Sequence, residues 1–498
     1  MTRFSNTPSA YSRSIPVRYA GAALALALLT SPAAGADGLL LSVGTLDGSV
    51  TAAAEDSGER AAPLSIPREP PEEDLLTIYR HALEADRQLA AARSRRRVAE
   101  EDIPQARALY LPQIGVSGGY ERREQDISDI SETLEHSGWD ATLSLTQPIF
   151  RREALIRMEQ ARTLVSTAEL ELSLAGQQLA LRVADAYFDV LLAQDEMALV
   201  DAELAAVESQ LRRAERALEV GTGTQTDVDE ARAVFDRVRA QRVAVTNQLD
   251  VAREALRRIT GRYPGSLASL EEGVELRPVE PADPDHWVEM AEQYNLEVQL
   301  AERRDRLARQ EVDASRADRW PDLDLEARLT RFDGTEDRLG PTGVTSSDGA
   351  IDTRSIRLQI SVPLYTGGAI SSRTRAAEAE RTATSDELFD QRREGALAAR
   401  SSFLNLAANR ERIAALEQAL VSARSNEASV RRGQEVGLRT TTDVLDAQSR
   451  RFQTKRDLAE ARYGYLLNFL ELQAAVGIVL DEAVIEDVNH HLQSIGRS

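Results

Sequence analysis

The 498-residue chain contains no cysteine, which excludes disulfides, thiolate metal sites, a cysteine nucleophile and the lipidated cysteine that could tether a mature N-terminus. It also lacks any apolar run approaching the ~20 residues that a membrane-spanning helix needs. Basic patches with interleaved aromatics are missing too. A formal net charge of -21 and a pI near 4.9 repel phosphate backbones, so nucleic acid is not an expected partner. The five histidines are scattered or terminal, and no nucleophile motif or phosphate-binding glycine loop stands in a suitable context. No enzyme activity, metal or cofactor is therefore expected. What remains, 42% apolar and 28% charged residues, is the composition of an ordinary folded chain.

Arg3, Arg13 and Arg18, with no acid among them, precede an apolar run from Ala20 to Leu29 and then Ala34-Gly35-Ala36. This order predicts a secretory signal peptide over residues 1–36, cut after Ala36, in preference to a buried N-terminal helix. Residues 37–71, rich in Ala, Gly, Ser and Pro without a period, read as a flexible lead-in.

Beyond it the chain repeats itself. Asp86, Leu89 and Pro112 answer Asn295, Val298 and Pro321, 209 positions on. Gln147-Pro148-Ile149-Phe150 answers Val362-Pro363-Leu364-Tyr365, 215 positions on, and Val220-Gly221, Asp227-Val228 and Ala231 answer Val436-Gly437, Asp443-Val444 and Ala447, 216 positions on. The units are a first repeat at 72–261, a connector at 262–285, a second repeat at 286–477 and a tail at 478–498. Each repeat reads as a helix, two strands, a very long helix, a sharp turn and a returning helix.

The strands, at 113–120, 140–147, 322–330 and 355–362, alternate apolar or small with polar residues, as in Ile356, Leu358 and Ile360 against Arg357, Gln359 and Ser361. Strict alternation gives one apolar and one wet face. Four strands offer no second sheet to cover the apolar faces. Aromatics sit at the strand ends: Tyr110, Phe150, Trp320 and Tyr365 at the helix junctions, Tyr120 and Trp139 toward the far loops. This matches the interfacial girdle of a membrane barrel, although aromatics capping a sheet core would give the same pattern. The segments Arg122 to Ser137 and Arg331 to Thr353 are polar and acidic and read as loops facing outside. Four strands cannot close a barrel, because the smallest outer-membrane barrels have about eight. A homotrimer sharing twelve strands is the simplest assembly that leaves no edge in lipid.

The long helices are expected over 148–220 and 363–436, each roughly 100 Å at 1.5 Å per residue, with Pro148 and Pro363 in their first turns. The returning helices are expected over 225–260 and 441–476. Ala231, Phe235, Val238, Arg242, Val245, Leu249, Ala252, Leu256 and Ile259 follow alternating spacings of four and three, a coiled-coil seam. The equivalent seam after Ala447 is more polar, with Arg451, Thr454 and Asn468, and is expected to face water or a weaker partner. The shorter helices should stack end to end along the long ones, and the connector and tail should form a belt.

Over roughly Glu72 to Leu480 the chain resembles the TolC family of outer-membrane efflux and secretion ducts. The stretch Val436-Gly437-Leu438-Arg439-Thr440-Thr441-Thr442-Asp443-Val444-Leu445-Asp446-Ala447 and Tyr463 through Leu467 carry the resemblance, as do the two Val-Gly turns with Asp-Val six residues after each glycine. The resemblance implies a mainly α fold with membrane β: a trimeric 12-stranded barrel, four strands per chain, continuous with a long α-helical coiled-coil barrel. It implies a passive exit duct in the outer membrane, projecting into the periplasm and recruited by a periplasmic adaptor and an inner-membrane RND, ABC or MFS transporter. A soluble periplasmic coiled-coil scaffold is the competing reading, and it leaves the four amphipathic strands unexplained.

The same resemblance places Asp443 and Asp446 in a ring of carboxylates at the periplasmic mouth. Residues alone allow a blander role, with Asp443 capping a helix and Asp446 a first-turn acid. It further implies that Arg439 reaches Thr226 on a neighbouring hairpin and that Asp227 joins a second link. There the chain departs from the family pattern, carrying Gln434 where a tyrosine is expected. The turns at Gly221, Thr222, Gly437, Leu438 and Thr440 would meet the adaptor.

Overall fold

The computed structural model describes residues 72–127, 132–270, 278–340, 343–489 and 492–493. The signal peptide with its cut after Ala36, and the segment 37–71, lie outside the described residues. The first repeat runs α1 (Leu75–Ala85), α2 (Arg87–Glu100), α3 (Asp102–Ala108), β1 (Gln113–Ile127), β2 (Glu132–Phe150), α4 (Arg152–Glu219) and α5 (Gln225–Thr260). After β3 (Ser269–Leu270), the second runs α6 (Pro284–Tyr294), α7 (Leu296–Ala317), β4 (Asp322–Gly340), β5 (Gly343–Ser361), α8 (Ala369–Glu435) and α9 (Thr441–Ala475). The chain then forms α10 (Glu482–Asn489) and β6 (Leu492–Gln493).

The four long strands form one antiparallel sheet in the order β1-β2-β4-β5. Its register shows why the alternation matters. Ile114 pairs with Leu145, Leu145 with Ala327 and Ala327 with Ile356, while Val116 pairs with Leu143 and Leu143 with Leu329. Directly paired residues share a face. The result is an apolar face running across the four strands, interrupted on β5 where Arg354 pairs with Leu329, and Ile114, Val116, Leu143, Leu329, Ile356, Leu358 and Ile360 on it are exposed in the single chain. The outer edges of β1 and β5 have no partner strand among the described residues.

The strands run farther than alternation suggests. Pairing continues through Arg122↔Ser137 toward Ile127↔Glu132 and through Arg331↔Asp352 to Gly340↔Gly343, so much of what read as outer loops is β-ribbon. A ladder needs only backbone partners, and a ribbon wet on both faces carries no apolar period to reveal it. Both prolines expected in first helical turns sit elsewhere. Pro148 lies in β2, where the register shifts between Pro148 and Phe150, a position that tolerates the missing N–H. Pro363 precedes Gly367 and Gly368, whose φ of 63° and 86° interrupt any helix before α8. The single helix expected ahead of the first strand pair breaks at Asp86, whose carboxylate caps α2 by accepting from Leu89 N at 2.7 Å.

Within the first hairpin, Val200, Val207 and Ala214 of α4 meet Ala231, Val238 and Val245 of α5 at intervals of seven, a coiled-coil seam. The main core lies higher, where Tyr187, Phe188 and Leu191 of α4 gather Leu75, Ile78, Leu256, Leu406, Leu470, Leu480 and Ile485. Tyr187 donates to Ala268 O at 2.7 Å, and β3 pairs with β6, so connector and tail meet around this core. The seam of α9, expected to face water or a weaker partner, meets protein at Arg451. That helix packs against α8, α4 and α5, so Arg451 is largely buried, ion-paired to Glu427 at 2.7 Å.

Candidate functional site: the paired helical tips

Each long helix ends in the same way. Gly221 N donates to Leu218 O at 3.0 Å and Thr222 N to Ala217 O at 2.8 Å; Gly437 N donates to Gln434 O at 3.0 Å and Leu438 N to Gly433 O at 2.8 Å. These are Schellman motifs, which need a left-handed residue at the reversal. Gly221 and Gly437 supply it with φ of 75° and 76°. Three residues later the returning helix is capped. Thr224 and Asp227 form a capping box on α5, Thr440 and Asp443 the same box on α9.

This construction accounts for several site residues. Asp443 accepts from Thr440 N at 2.9 Å, and its pKa is lowered chiefly by hydrogen bonding to the Thr440 backbone and side chain, with a smaller pull from Arg439. Asp227 accepts from Thr224 N at 3.1 Å. Gln434 Nε2 donates to Thr441 Oγ1 at 3.2 Å, so the chain does not bring Gln434 and Asp227 together. Arg439 stands 3.9 Å from Asp443; Thr226 is exposed on the first turn of α5.

Asp446 differs from all of these. It is exposed and makes no hydrogen bond or ion pair among the described residues. Its counterpart in the first repeat, Glu230, accepts a hydrogen bond from Thr442 Oγ1, tying the two tips together. Leu445 completes that contact by burying itself in the seam of the first hairpin. Val220, Val436 and Leu438 are exposed at the turns, Leu438 to 81%.

Gly433, in the last turn of α8, is a residue the sequence does not single out as part of the site. A Cβ there would lie 2.8 Å from Arg439 Cγ, so glycine makes room for the arginine. The duplication contained the signal: Ala217 and Gly223 of the first repeat become Gly433 and Arg439 in the second. Small and large residues exchange sides. At the other end, Tyr110, Phe150, Trp320 and Tyr365 stand at the strand–helix junctions, with the Arg152 guanidinium 4.7 Å from the Trp320 ring centroid.

A family model described as outer membrane efflux protein matches residues 78–262 and 287–478. The chain belongs to the outer membrane efflux protein family. It is 33% identical to outer membrane protein TolC of Vibrio cholerae over 421 residues, 84% of this chain and 94% of that protein. It is 30% identical to the alkaline protease secretion protein AprF of Pseudomonas aeruginosa, over 83% of this chain and 86% of that one. The crystal structure of outer membrane protein VceC from Vibrio cholerae superposes with a TM-score of 0.67 at 22% identity, covering 81% of this chain and 96% of that chain. The efflux-family chain is thus an outer-membrane exit duct for efflux or type I secretion, with a periplasmic tunnel, and not an enzyme. It works as a trimeric channel with an adaptor and an inner-membrane transporter.

Proposed function

We propose that the two tips form the periplasmic gate of this duct, with Asp446 and Asp443 of three copies ringing the mouth. The observation that carries this reading is Asp446, an exposed carboxylate with no structural employment, one turn from a capped helix end and beside a tip pinned by Thr442 and Glu230. Three such carboxylates would create a negative field that favours cations at the entrance.

Arg439 is the lock. Its guanidinium is half exposed, and its one ion pair among the described residues is a 3.9 Å contact to Asp443, which leaves donors for Thr226 on a neighbouring copy. Because Asp227 and Gln434 are engaged within their own turns, the closed state rests on Arg439 more than on a second link between those two. The exposed apolar turn residues Val220, Val436 and Leu438, with Gly221, Thr222, Gly437 and Thr440, form the surface for the adaptor's helical hairpin; RND, ABC and MFS transporters are the candidate engines behind it. Tyr110, Phe150, Trp320 and Tyr365 lie at the lipid interface, where amphipathic rings are favoured. In planar bilayers, Arg439→Ser should raise single-channel conductance severalfold; conductance at the wild-type value removes the lock.

A further inference from the structure

The first hairpin is held internally by an apolar seam, the second carries the Glu427–Arg451 pair in its seam, and above the apolar contact of Leu445 the two hairpins meet through polar groups. Between α4 and α9 runs a strip of buried polar groups. Glu203, Gln210 and Gln448 are 3%, 1% and 2% exposed, and the Arg456 side chain is 14% exposed. Arg456 Nη1 stands 3.8 Å from Glu203 Oε2. Neither atom makes a hydrogen bond among the described residues, nor do Gln210 Nε2 and Gln448 Oε1. Glu203 also receives a hydrogen bond from Ser449 and feels the more distant Arg237 and Arg451. Burial raises its pKa despite those attractions, and it raises that of Glu196, seven residues earlier, which the same Arg456 partly offsets and Glu460 worsens.

A buried ion pair offsets its desolvation only when geometry and hydrogen bonding are good. Here the facing atoms, 3.8 Å apart, share no hydrogen bond, and the pair is supported only from the sides, by Ser449 on Glu203 and by Gln453 Oε1, to which Arg456 Nη2 donates at 2.8 Å. Nearer the core the same two helices are joined well: Tyr463 Oη donates to Asp195 at 2.8 Å and its ring stacks on Phe188 at 5.9 Å. Between that anchor and Asp446 lie about 25 Å of helix at 1.5 Å per residue. Small changes of setting along the strip therefore become larger displacements at the tip.

We propose that Glu203 and Arg456 are positioning residues for the mouth: their buried, under-bonded pair fixes one setting of the α8–α9 hairpin on the α4–α5 hairpin, and loosening it lets the hairpin bearing Asp443 and Asp446 move. This rests on the reading of the tips as a gate. Well-packed apolar seams resist sliding because every shift opens a void, whereas a polar strip can exchange partners between two settings. Arg456, attracted by both Glu196 and Glu203, has the alternative partner that such an exchange requires.

The test is single-channel conductance of the full-length trimer in planar bilayers, with Arg439→Ser alongside. Glu203→Gln, which keeps shape and removes charge, should raise conductance severalfold. The paired variant Glu203→Leu with Arg456→Leu, which replaces the strip's ions by apolar packing, should lower conductance below wild type and blunt the opening caused by Arg439→Ser. It also carries the test should Glu203→Gln fail to assemble. Wild-type conductance in an assembled Glu203→Gln trimer overturns the proposal. The gate reading survives that result if Arg439→Ser still opens the channel, and falls with it if not. Opening by the paired variant also overturns it, since loss of packing would then explain both.

Discussion

Gly437 and Gly477 share a left-handed backbone, with φ of 76° and 78°, yet alanine should have very different consequences at the two. At Gly437 an added Cβ meets nothing within 4 Å, so the cost is conformational alone, about 1–2 kcal/mol. At Gly477 the same atom would lie 1.8 Å from Tyr294 O, 2.3 Å from its carbonyl carbon and 2.9 Å from Asn295 N. All three are backbone and cannot swing aside. The segment that must yield is the start of α7, where Asn295 caps the helix by accepting from Glu297 N and Val298 N and donates to Ala475 O at 2.9 Å. Losing that cap adds about 1 kcal/mol, and losing the hydrogen bond about 1 kcal/mol more. The total is then roughly 3–4 kcal/mol per chain, repeated in each copy. Gly261, the first-repeat counterpart with φ of 76°, has only Ala85 Cβ at 3.4 Å and should behave like Gly437. The assay is the temperature at which the detergent-solubilised trimer dissociates. Gly221→Ala, Gly261→Ala and Gly437→Ala should stay near wild type while Gly477→Ala drops well below them. A Gly477→Ala trimer as heat-resistant as Gly437→Ala refutes the reasoning.

Tyr187→Phe should destabilise the chain by about 1–3 kcal/mol, because it leaves the buried Ala268 carbonyl without its donor; denaturant unfolding of the detergent-solubilised protein would show no change if the hydroxyl were idle. The Asp443 carboxyl has a lowered pKa, so the stability it lends the first turn of α9 is present above the ordinary carboxylate range and is lost as pH falls through the lowered value. Hydrogen exchange over 436–447, corrected for intrinsic rates, should therefore show the tip fraying at acid pH. Asp443→Asn should be frayed at neutral pH already and respond little to acid, and identical pH profiles for the two would contradict the capping role.

Much of this architecture was legible because duplication doubles every signal. The returning helix over 225–260 coincides with α5, since Thr224 and Gly261 punctuate it and a heptad fills it. The helix-side portions of the strands were legible, because there one face is apolar. What stayed hidden shares one physical cause: partners far away in sequence. The outer ribbons pair through backbone, so Arg122 or Arg331 looks like a loop residue. Glu203 looks like a surface charge on a long helix until α9 is laid across it. Asp443 and Asp446 are acids three positions apart in sequence, and only the capping box separates the one with a structural task from the one without.

That separation gives the most direct measurement. Asp446→Asn removes charge from the mouth without touching the cap, and the reversal potential of single channels under a salt gradient reads the field at the entrance. The account predicts that wild-type channels are cation-selective and that Asp446→Asn lowers this selectivity with the trimer intact. An unchanged reversal potential would contradict the carboxylate ring.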